Sequence, residues 1–374
     1  MPSCSEYPFT ATVNAMTPVP VRRPPLPILA TIDWPEGVVT PEPKTAAALA
    51  AAAERLATGQ LVAIPTETVY GLAANAMDPD AVAQIFYAKG RPATNPLIVH
   101  VSDTDMARCL AAQWPDTAER AARAFWPGPL TLVVPKAESV PDIVTANGHT
   151  VALRCPGLNV SRRLIELAKC PIAAPSANRS EAVSPTTAHH VLEGLGHRVG
   201  MILDGGPCEH GLESTVLDCT VDPPTILRPG PISAQQLAKA LGVQIHSSKE
   251  VCVEQGKERR EALRSPGSQP RHYAPRTRLT LAEDATTLIP ELLEAGHRVG
   301  WLSRSPHTAA VAALAASPSL VVIPMPEDPA GYARSLYATL HALDQRGLDH
   351  LVVDTVPTDS DWAAVHDRLE RAAT

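Results

Sequence analysis

Much of what usually gives a protein away is missing from this 374-residue chain. No apolar run approaches the ~20 residues that span a bilayer. The first seven residues, Met1 to Tyr7, are polar and acidic and lack the basic-then-apolar order of a secretory signal. The seven cysteines are odd in number, scattered and without a C-x-x-C pair, which excludes an ordered disulfide frame or zinc site and points to reduced thiols in the cytosol. There is no G-x-x-x-x-G-K-[ST], no H-E-x-x-H and no G-x-S-x-G. A bound nucleotide would therefore not sit on a P-loop. Cys208 and His210 have no second pair to complete a metal set. The formal net charge of -7 argues against broad, charge-driven nucleic-acid binding.

Proline is present in excess, at 38 residues, and it clusters. Residues 1–44 read as a Pro-rich extended arm. From there strands and helices mix with short turns, implying one α/β domain over 45–242 around a mixed sheet. Helices are expected over 46–56, from the Asp78-Pro79 cap to about 87, in two stretches ending by Trp126, over 161–169, 185–195, and from Ser233 to 241. Strands are expected at 61–65, 97–101, 130–134, 151–155, 171–174, 201–203, 215–217 and 225–227. Residues 243–278 read as a charged linker with an irregular stretch from Ser265 to Pro275. Over 279–374 strand and helix alternate regularly, as in a small parallel sheet of βαβ units. It contains no G-x-G-x-x-G, so a dinucleotide site is not inferred.

Three polar clusters stand at the edges of apolar strand-like runs: Pro65-Thr66-Glu67-Thr68-Val69-Tyr70-Gly71-Leu72, Lys89-Gly90-Arg91-Pro92 through His100, and Pro175-Ser176-Ala177-Asn178. Lys89 and Arg91 are two apart, so on an extended segment both point to one side and repel unless an anion lies between them. Arginine offers a planar fork and lysine a point charge, together suited to a polyphosphate. Arg154 ends a strand and is either a third site cation or a surface arginine. Asp204-Gly205-Gly206 and Arg228-Pro229-Gly230 are glycine turns whose N–H groups could meet phosphate. Thr68, Ser176, Asn178, Ser184 and Ser214 are neutral hydrogen-bonding groups at strand ends or turns, each also readable as a cap. His100, ending an apolar strand, reads by itself as a core histidine.

Taken in order, these segments resemble the threonylcarbamoyl-AMP synthase family with the YrdC-like fold. Pro127-Gly128-Pro129, Leu153-Arg154-Cys155-Pro156, Ala174 to Asn178, Ser184-Pro185-Thr186, Glu213-Ser214-Thr215-Val216 and Leu227 to Gly230 carry the likeness across nearly all of 45–242. Ser265-Pro266-Gly267 and Arg271-His272-Tyr273-Ala274-Pro275 extend it to the long, two-domain form. The resemblance implies a YrdC-like mixed twisted sheet domain plus a smaller C-terminal parallel-sheet, Rossmann-like domain. It also implies a nucleotidyltransferase that converts L-threonine, bicarbonate and ATP into threonylcarbamoyl-AMP and pyrophosphate, with Mg2+ accompanying ATP. A downstream tRNA threonylcarbamoyl transferase would use the product, and any tRNA contact of this chain itself would be weak. Lys89, Arg91, Ser176 and Asn178 would form the signature catalytic set. Arg91, Asn95, Thr150, Ser176, Ser184, Arg228 and Tyr273 would line the ATP side, and Thr68, His100, Arg154, Ala174 and Ser214 the threonine side. Tyr273, in the linker, would act as a lid.

Departures are few. Ala73 stands where the family often has glycine, Ser268-Gln269-Pro270 differs from the usual linker, and residues 1–44 match nothing. An RNA-binding module with the same fold and no synthase activity is the alternative, disfavoured by the complete signature set. A carbamoyltransferase of the hydrogenase-maturation kind would bring zinc-finger and acylphosphatase modules that this chain lacks.

Overall fold

Helix α1 (Pro43–Ala57) shows how the larger domain is assembled. Proline at its start supplies a preset φ, and an alanine-rich body follows. Thr45, Leu49, Ala52, Ala53 and Leu56 recur at helical spacing and are buried. They pack with α5 (Asn159–Ala168) over one face of a sheet, through Val160, Leu164 and Ile165. The opposite face is covered by α2 (Pro79–Lys89), α3 (Thr104–Cys109), α4 (Asp116–Phe125), α6 (Ala188–Gly194) and α7 (Ala234–Leu241). Period-2 alternation divides the strands between the layers: Val62 and Ile64 face one core, Leu61 and Ala63 the other.

The protein is described here by a computed structural model covering residues 27–34, 40–247, 272–304 and 309–373. Its larger sheet has eleven strands: β1 (Ile28–Thr31), β2 (Val62–Ile64), β3 (Gly71–Asn75), β4 (Ile98–His100), β5 (Leu130–Pro135), β6 (Thr150–Arg154), β7 (Ile172–Ala173), β8 (Met201–Asp204), β9 (Thr215–Asp218), β10 (Thr225–Arg228) and β11 (His246–Ser247). They lie in the order β1-β8-β2-β3-β7-β4-β6-β5-β9-β10-β11, with parallel and antiparallel pairs mixed. The second sheet is wholly parallel, β12 (Arg278–Ala282), β15 (His350–Asp354), β13 (Val299–Ser303) and β14 (Leu320–Pro324) in that order. Helices α8 (Ala285–Glu294) and α9 (Ala309–Leu314) cover one face, α10 (Pro329–Asp344) and α11 (Ala363–Ala372) the other. No described helix is long and apolar enough to cross a membrane.

The expected arm over 1–44 is corrected at its C-terminal end. Ile28–Thr31 is an edge strand parallel to β8, and α1 already begins at Pro43. Four residues with proline on both sides carry too little periodicity to reveal a strand whose stability comes from its neighbour's backbone. Residues 1–26 and 35–39 of that expectation, and the Ser265-Pro266-Gly267 and Ser268-Gln269-Pro270 segments, lie outside the described residues. Strand β3 was not anticipated, because Gly-Leu-Ala-Ala-Asn has low β propensity. Its pairing with β2 and β7 overrides that preference. Strand β11 extends the larger sheet past residue 242.

The two sheets' domains are closely docked. Val69, Val183 and Leu212 of the larger domain share one apolar cluster with Tyr332, Leu336 and Tyr337 of α10. Arg334 Nε donates to the Glu209 carbonyl at 2.7 Å. Gly211, at φ +73°, passes so close to α10 that a Cβ there would meet the Arg334 backbone at 2.6 Å. Gly211→Ala is therefore expected to destabilise the protein by about 1–3 kcal/mol, read from urea denaturation.

Candidate active site

Strand ends converge on one cleft. Strand β4 runs parallel to β6, with His100 opposite Arg154, so both side chains project to the same face together with Ile98 two residues earlier. Strand β7 lies antiparallel on the other side of β4 and delivers Ala174, Pro175 and Ser176 as it ends. Thr66 and Val69 come from the turn between β2 and β3, Gly71 begins β3, Glu213 and Ser214 precede β9, and Arg228 ends β10. His272 and Tyr273, leading into the second domain, complete the lining of the cleft.

Lys89 and Arg91 do not lie on an extended segment as expected from their spacing. Lys89 is the last residue of α2, and Gly90 caps the helix in the left-handed conformation at φ 63°. Its N–H bonds back to Phe86 and Tyr87 carbonyls, which turns the chain and separates the two cations. The Lys89 Nζ reaches the carbonyls of Ser176 (2.5 Å) and Asn178 (2.6 Å) and Asn178 Oδ1 (3.1 Å). Burial and the Arg91 charge push the Lys89 pKa down; three oxygen acceptors favour the ammonium, and they make Lys89 a brace for the Ser176–Asn178 turn. Arg91 does face the cleft. Its Nε and Nη2 donate to Asn95 O and Pro96 O, and burial lowers its pKa to about 10.

Of the other expected site residues, His100, Arg154, Ala174, Ser176, Ser214, Arg228 and Tyr273 line the cleft. Ser176 Oγ donates to Asn178 Oδ1 at 2.5 Å, and Asn178 Nδ2 to Ala182 O at 2.6 Å, so Asn178 sits behind the lining and holds Ser176. Ser184 Oγ is likewise behind it, donating to Glu213 Oε1 at 2.5 Å. Thr68 is buried with its hydroxyl 2.8 Å from that of Thr66, and Thr66 is the one that lines the cleft. Asn95 is buried with neither side-chain amide atom bonded to protein. Thr150 begins β6, four residues and ~13 Å along the strand from Arg154, and is not part of the lining.

Two acids and a histidine emerge that residue pattern had not singled out. Glu67 Oε1 accepts from Arg154 Nη2 at 2.6 Å, both groups being buried. Burial raises the Glu67 pKa, but Arg154 and the Gly157 N–H more than offset it and leave the carboxyl below its ordinary range. Glu213 is held low in the same way, against burial, by Arg368 and Arg228. His272 lines the cleft beside Tyr273. The signal was available: Glu67 and Glu213 lie inside the polar clusters already quoted, each next to a hydroxyl residue. Several polar atoms remain unbonded to protein, among them His100 Nδ1, Arg154 Nε and the Tyr273 hydroxyl. Buried groups are rarely left so unless a ligand meets them. Burial and the Arg154 charge hold His100 neutral, with its pKa lowered to about 3. Burial pushes the Cys155 thiol up to about 12, so it offers no thiolate nucleophile. The cleft thus presents guanidinium groups and neutral donors suited to carboxylate and phosphate.

Comparison with known proteins agrees with that chemistry. Residues 54–230 match the family model Sua5_yciO_yrdC, described as telomere recombination, and residues 232–374 match the threonylcarbamoyl-AMP synthase C-terminal domain. Threonylcarbamoyl-AMP synthase of Pyrococcus abyssi is 40% identical over 84% of this chain and 91% of its own. The Bacillus subtilis enzyme of the same name is 39% identical over 87% and 92%. The crystal structure of P. abyssi Sua5 complexed with L-threonine superposes with a TM-score of 0.80 at 38% identity, covering 92% of this chain and 97% of that one. Relatives that share this chain over most of their length define a nucleotidyltransferase class. Within it, the chain belongs to the threonylcarbamoyl-AMP synthase family, in its two-domain form.

The buried histidines have a consequence for acid stability. His100 and His272 both have folded pKa values near 3, lowered first by burial. Unfolding frees them to bind protons at their ordinary value of about 6.5. Between pH 6.5 and about 4 the unfolded state therefore holds more protons, so stability rises with pH and falls on acidification. Urea unfolding is expected to show this slope, and His100→Gln to reduce it by about one proton.

Proposed function

We propose that the protein makes threonylcarbamoyl-AMP and pyrophosphate from L-threonine, bicarbonate and ATP, supplying a cytoplasmic tRNA threonylcarbamoyl transferase that modifies adenosine in tRNA. The observation that carries this reading is the pairing of two kinds of anion site in one cleft. Arg154 and His100 stand side by side on β6 and β4, while Arg91 and Arg228 enter from other elements. Arg154 answers the threonine carboxylate. Thr66, held from behind by the Thr68 hydroxyl, surrounds the amino acid with Ala174 and Ser214, and a site that hydrogen-bonds its hydroxyl rejects an analogue lacking it. Arg91, Arg228, Asn95, Ser176, Ser184 and Tyr273 belong to the nucleotide side. Thr150, at the far end of β6, could meet only the part of ATP most distant from threonine.

The threonine amine, once neutral, adds to the carbon of bicarbonate with loss of water to give a carbamate. A carbamate oxygen then attacks the α-phosphorus and pyrophosphate leaves. Negative charge grows on the phosphate oxygens, where preorganised guanidinium groups stabilise it. Lys89 acts behind them by fixing Ser176 and Asn178. No covalent enzyme intermediate is needed; orientation alone can supply ~7–11 kcal/mol. Magnesium would enter with ATP as its nucleotide complex, held chiefly by the substrate phosphates. Tyr273 closes the cleft from the linker: it is buried, at φ 61°, and Ala274 N bonds to Glu181 O at 2.9 Å. The alternative of an RNA-binding module is weaker, since Arg91, Arg154 and Arg228 are buried where an RNA backbone cannot reach them.

Threonine- and bicarbonate-dependent pyrophosphate release tests the reading. Arg91→Ala is expected to lower kcat/KM for ATP by ~10²–10³ with the fold intact. Arg154→Lys, which keeps a partner for Glu67, is expected to raise the threonine KM by ~10–100-fold. Valine in place of threonine should turn over ~10⁴-fold less efficiently. Normal pyrophosphate release by the Arg91 variant, or none from the unaltered protein, would sink the proposal.

A further inference from the structure

Arg368, on the last helix of the second domain, is the most deeply buried cation of the described residues outside the cleft lining, at 0% exposure. Its Nε donates to Glu213 Oε2 at 2.9 Å, across the domain boundary. Its Nη1 donates to Asp367 Oδ2 at 2.8 Å, and its Nη2 has no bonded partner. Its guanidinium carbon lies 5.1 Å from the centre of the Tyr273 ring, within cation–π range. Tyr337 of α10 adds to the same junction. Its hydroxyl donates to Glu213 Oε2 at 3.1 Å, and its ring stacks on Tyr273 at 5.8 Å. Residue 371 contributes too, its carbonyl accepting from the His272 N–H at 3.2 Å. Glu213 and Tyr273 both line the cleft; Arg368 does not.

That arrangement answers an electrostatic problem. A carboxylate in the wall of a site for a triphosphate repels the substrate, and it competes for the nearest cation. Within the cleft lining Arg228, which ends β10 and donates to the Ser214 carbonyl, is the cation whose charge acts on Glu213. A second guanidinium placed behind Glu213 satisfies the acid from outside the cleft, so that Glu213 does not draw on Arg228 alone. The same guanidinium holds the Tyr273 ring by its face.

We propose that Arg368 is a positioning residue for the nucleotide half of the reaction, through which the C-terminal domain sets Glu213 and Tyr273 against the cleft. The inference rests on the synthase reading above. It concerns a residue that never touches substrate. Its signature is therefore asymmetric: loss of Arg368 weakens ATP more than threonine, whose side of the cleft is built mainly from β4, β6, β7 and the β2–β3 turn, with only Ser214 beside Glu213.

The test uses the full chain and two measurements: steady-state pyrophosphate release, and calorimetric binding of a non-hydrolysable ATP analogue and of threonine. Arg368→Met is expected to raise the ATP KM and the analogue Kd by ~10–100-fold while threonine affinity stays within about twofold. Arg368→Lys keeps the charge beside Glu213 but not the planar face over Tyr273, and is expected to recover most of that loss, to within ~10-fold of the unaltered protein. Equal weakening of ATP and threonine in parallel with a lower Tm would mean a merely structural role and overturn the proposal. So would unchanged ATP affinity in Arg368→Met. If Arg368→Met does not fold, Arg368→Lys decides: an ATP-selective rise of ~3–10-fold supports the inference, and none, or one shared by threonine, overturns it. Analogue binding separates this outcome from the reaction itself, because an unaltered protein that binds the analogue but releases no pyrophosphate counts against the synthase reading alone.

Discussion

Charge buried without a partner is more than a folded chain can carry, and the architecture around the cleft is organised by that constraint. Glu67 and Glu213 are both buried carboxylates, and each has a buried guanidinium in contact, Arg154 for one and Arg368 for the other. The first pair joins the turn after β2 to the end of β6; the second joins the two domains. Lys89 obeys the same rule with carbonyl oxygens for partners. Each pairing fixes a strand end or a turn. The cleft lies where those fixed ends meet, so its geometry is set by the need to satisfy charge.

The pairs differ in what they leave over. Arg154 gives one nitrogen to Glu67 and keeps Nε unbonded to protein. His100, neutral beside it, keeps Nδ1 unbonded. Asn95 has both side-chain atoms in that condition. A site for charged small molecules must be satisfied enough to fold and unsatisfied enough to bind, and this distribution of partners does both. The second domain contributes by the same logic, since its last helix supplies the cation that completes a pair in the first.

Much of the fold was legible beforehand. The helix cap at Asp78-Pro79, the strand–helix alternation of the C-terminal domain and the polar clusters at strand ends depend on local chemistry, and local chemistry is written in order along the chain. Strands β1 and β3 were not legible, because Ile28–Thr31 is flanked by proline and Gly71–Asn75 is poor in β-branched residues. Both are strands by virtue of the strands beside them. The spacing of Lys89 and Arg91 misled for a related reason. Two residues apart implies one side only if the backbone is extended, and Gly90 ends a helix there instead.

By itself, then, the order of residues determined which side chains were available for the chemistry, the family they spell, and most of the elements that carry them, since propensities and caps act within a few residues. Tertiary structure decided which of those side chains face the cleft and which stand behind it. Lys89, Asn178 and Ser184 belong to the second group, and Arg91, Ser176 and Glu213 to the first. It also brought Arg368 beside Glu213, 155 positions away in the chain. No local pattern could announce that contact, because burial and charge pairing are properties of the packed molecule.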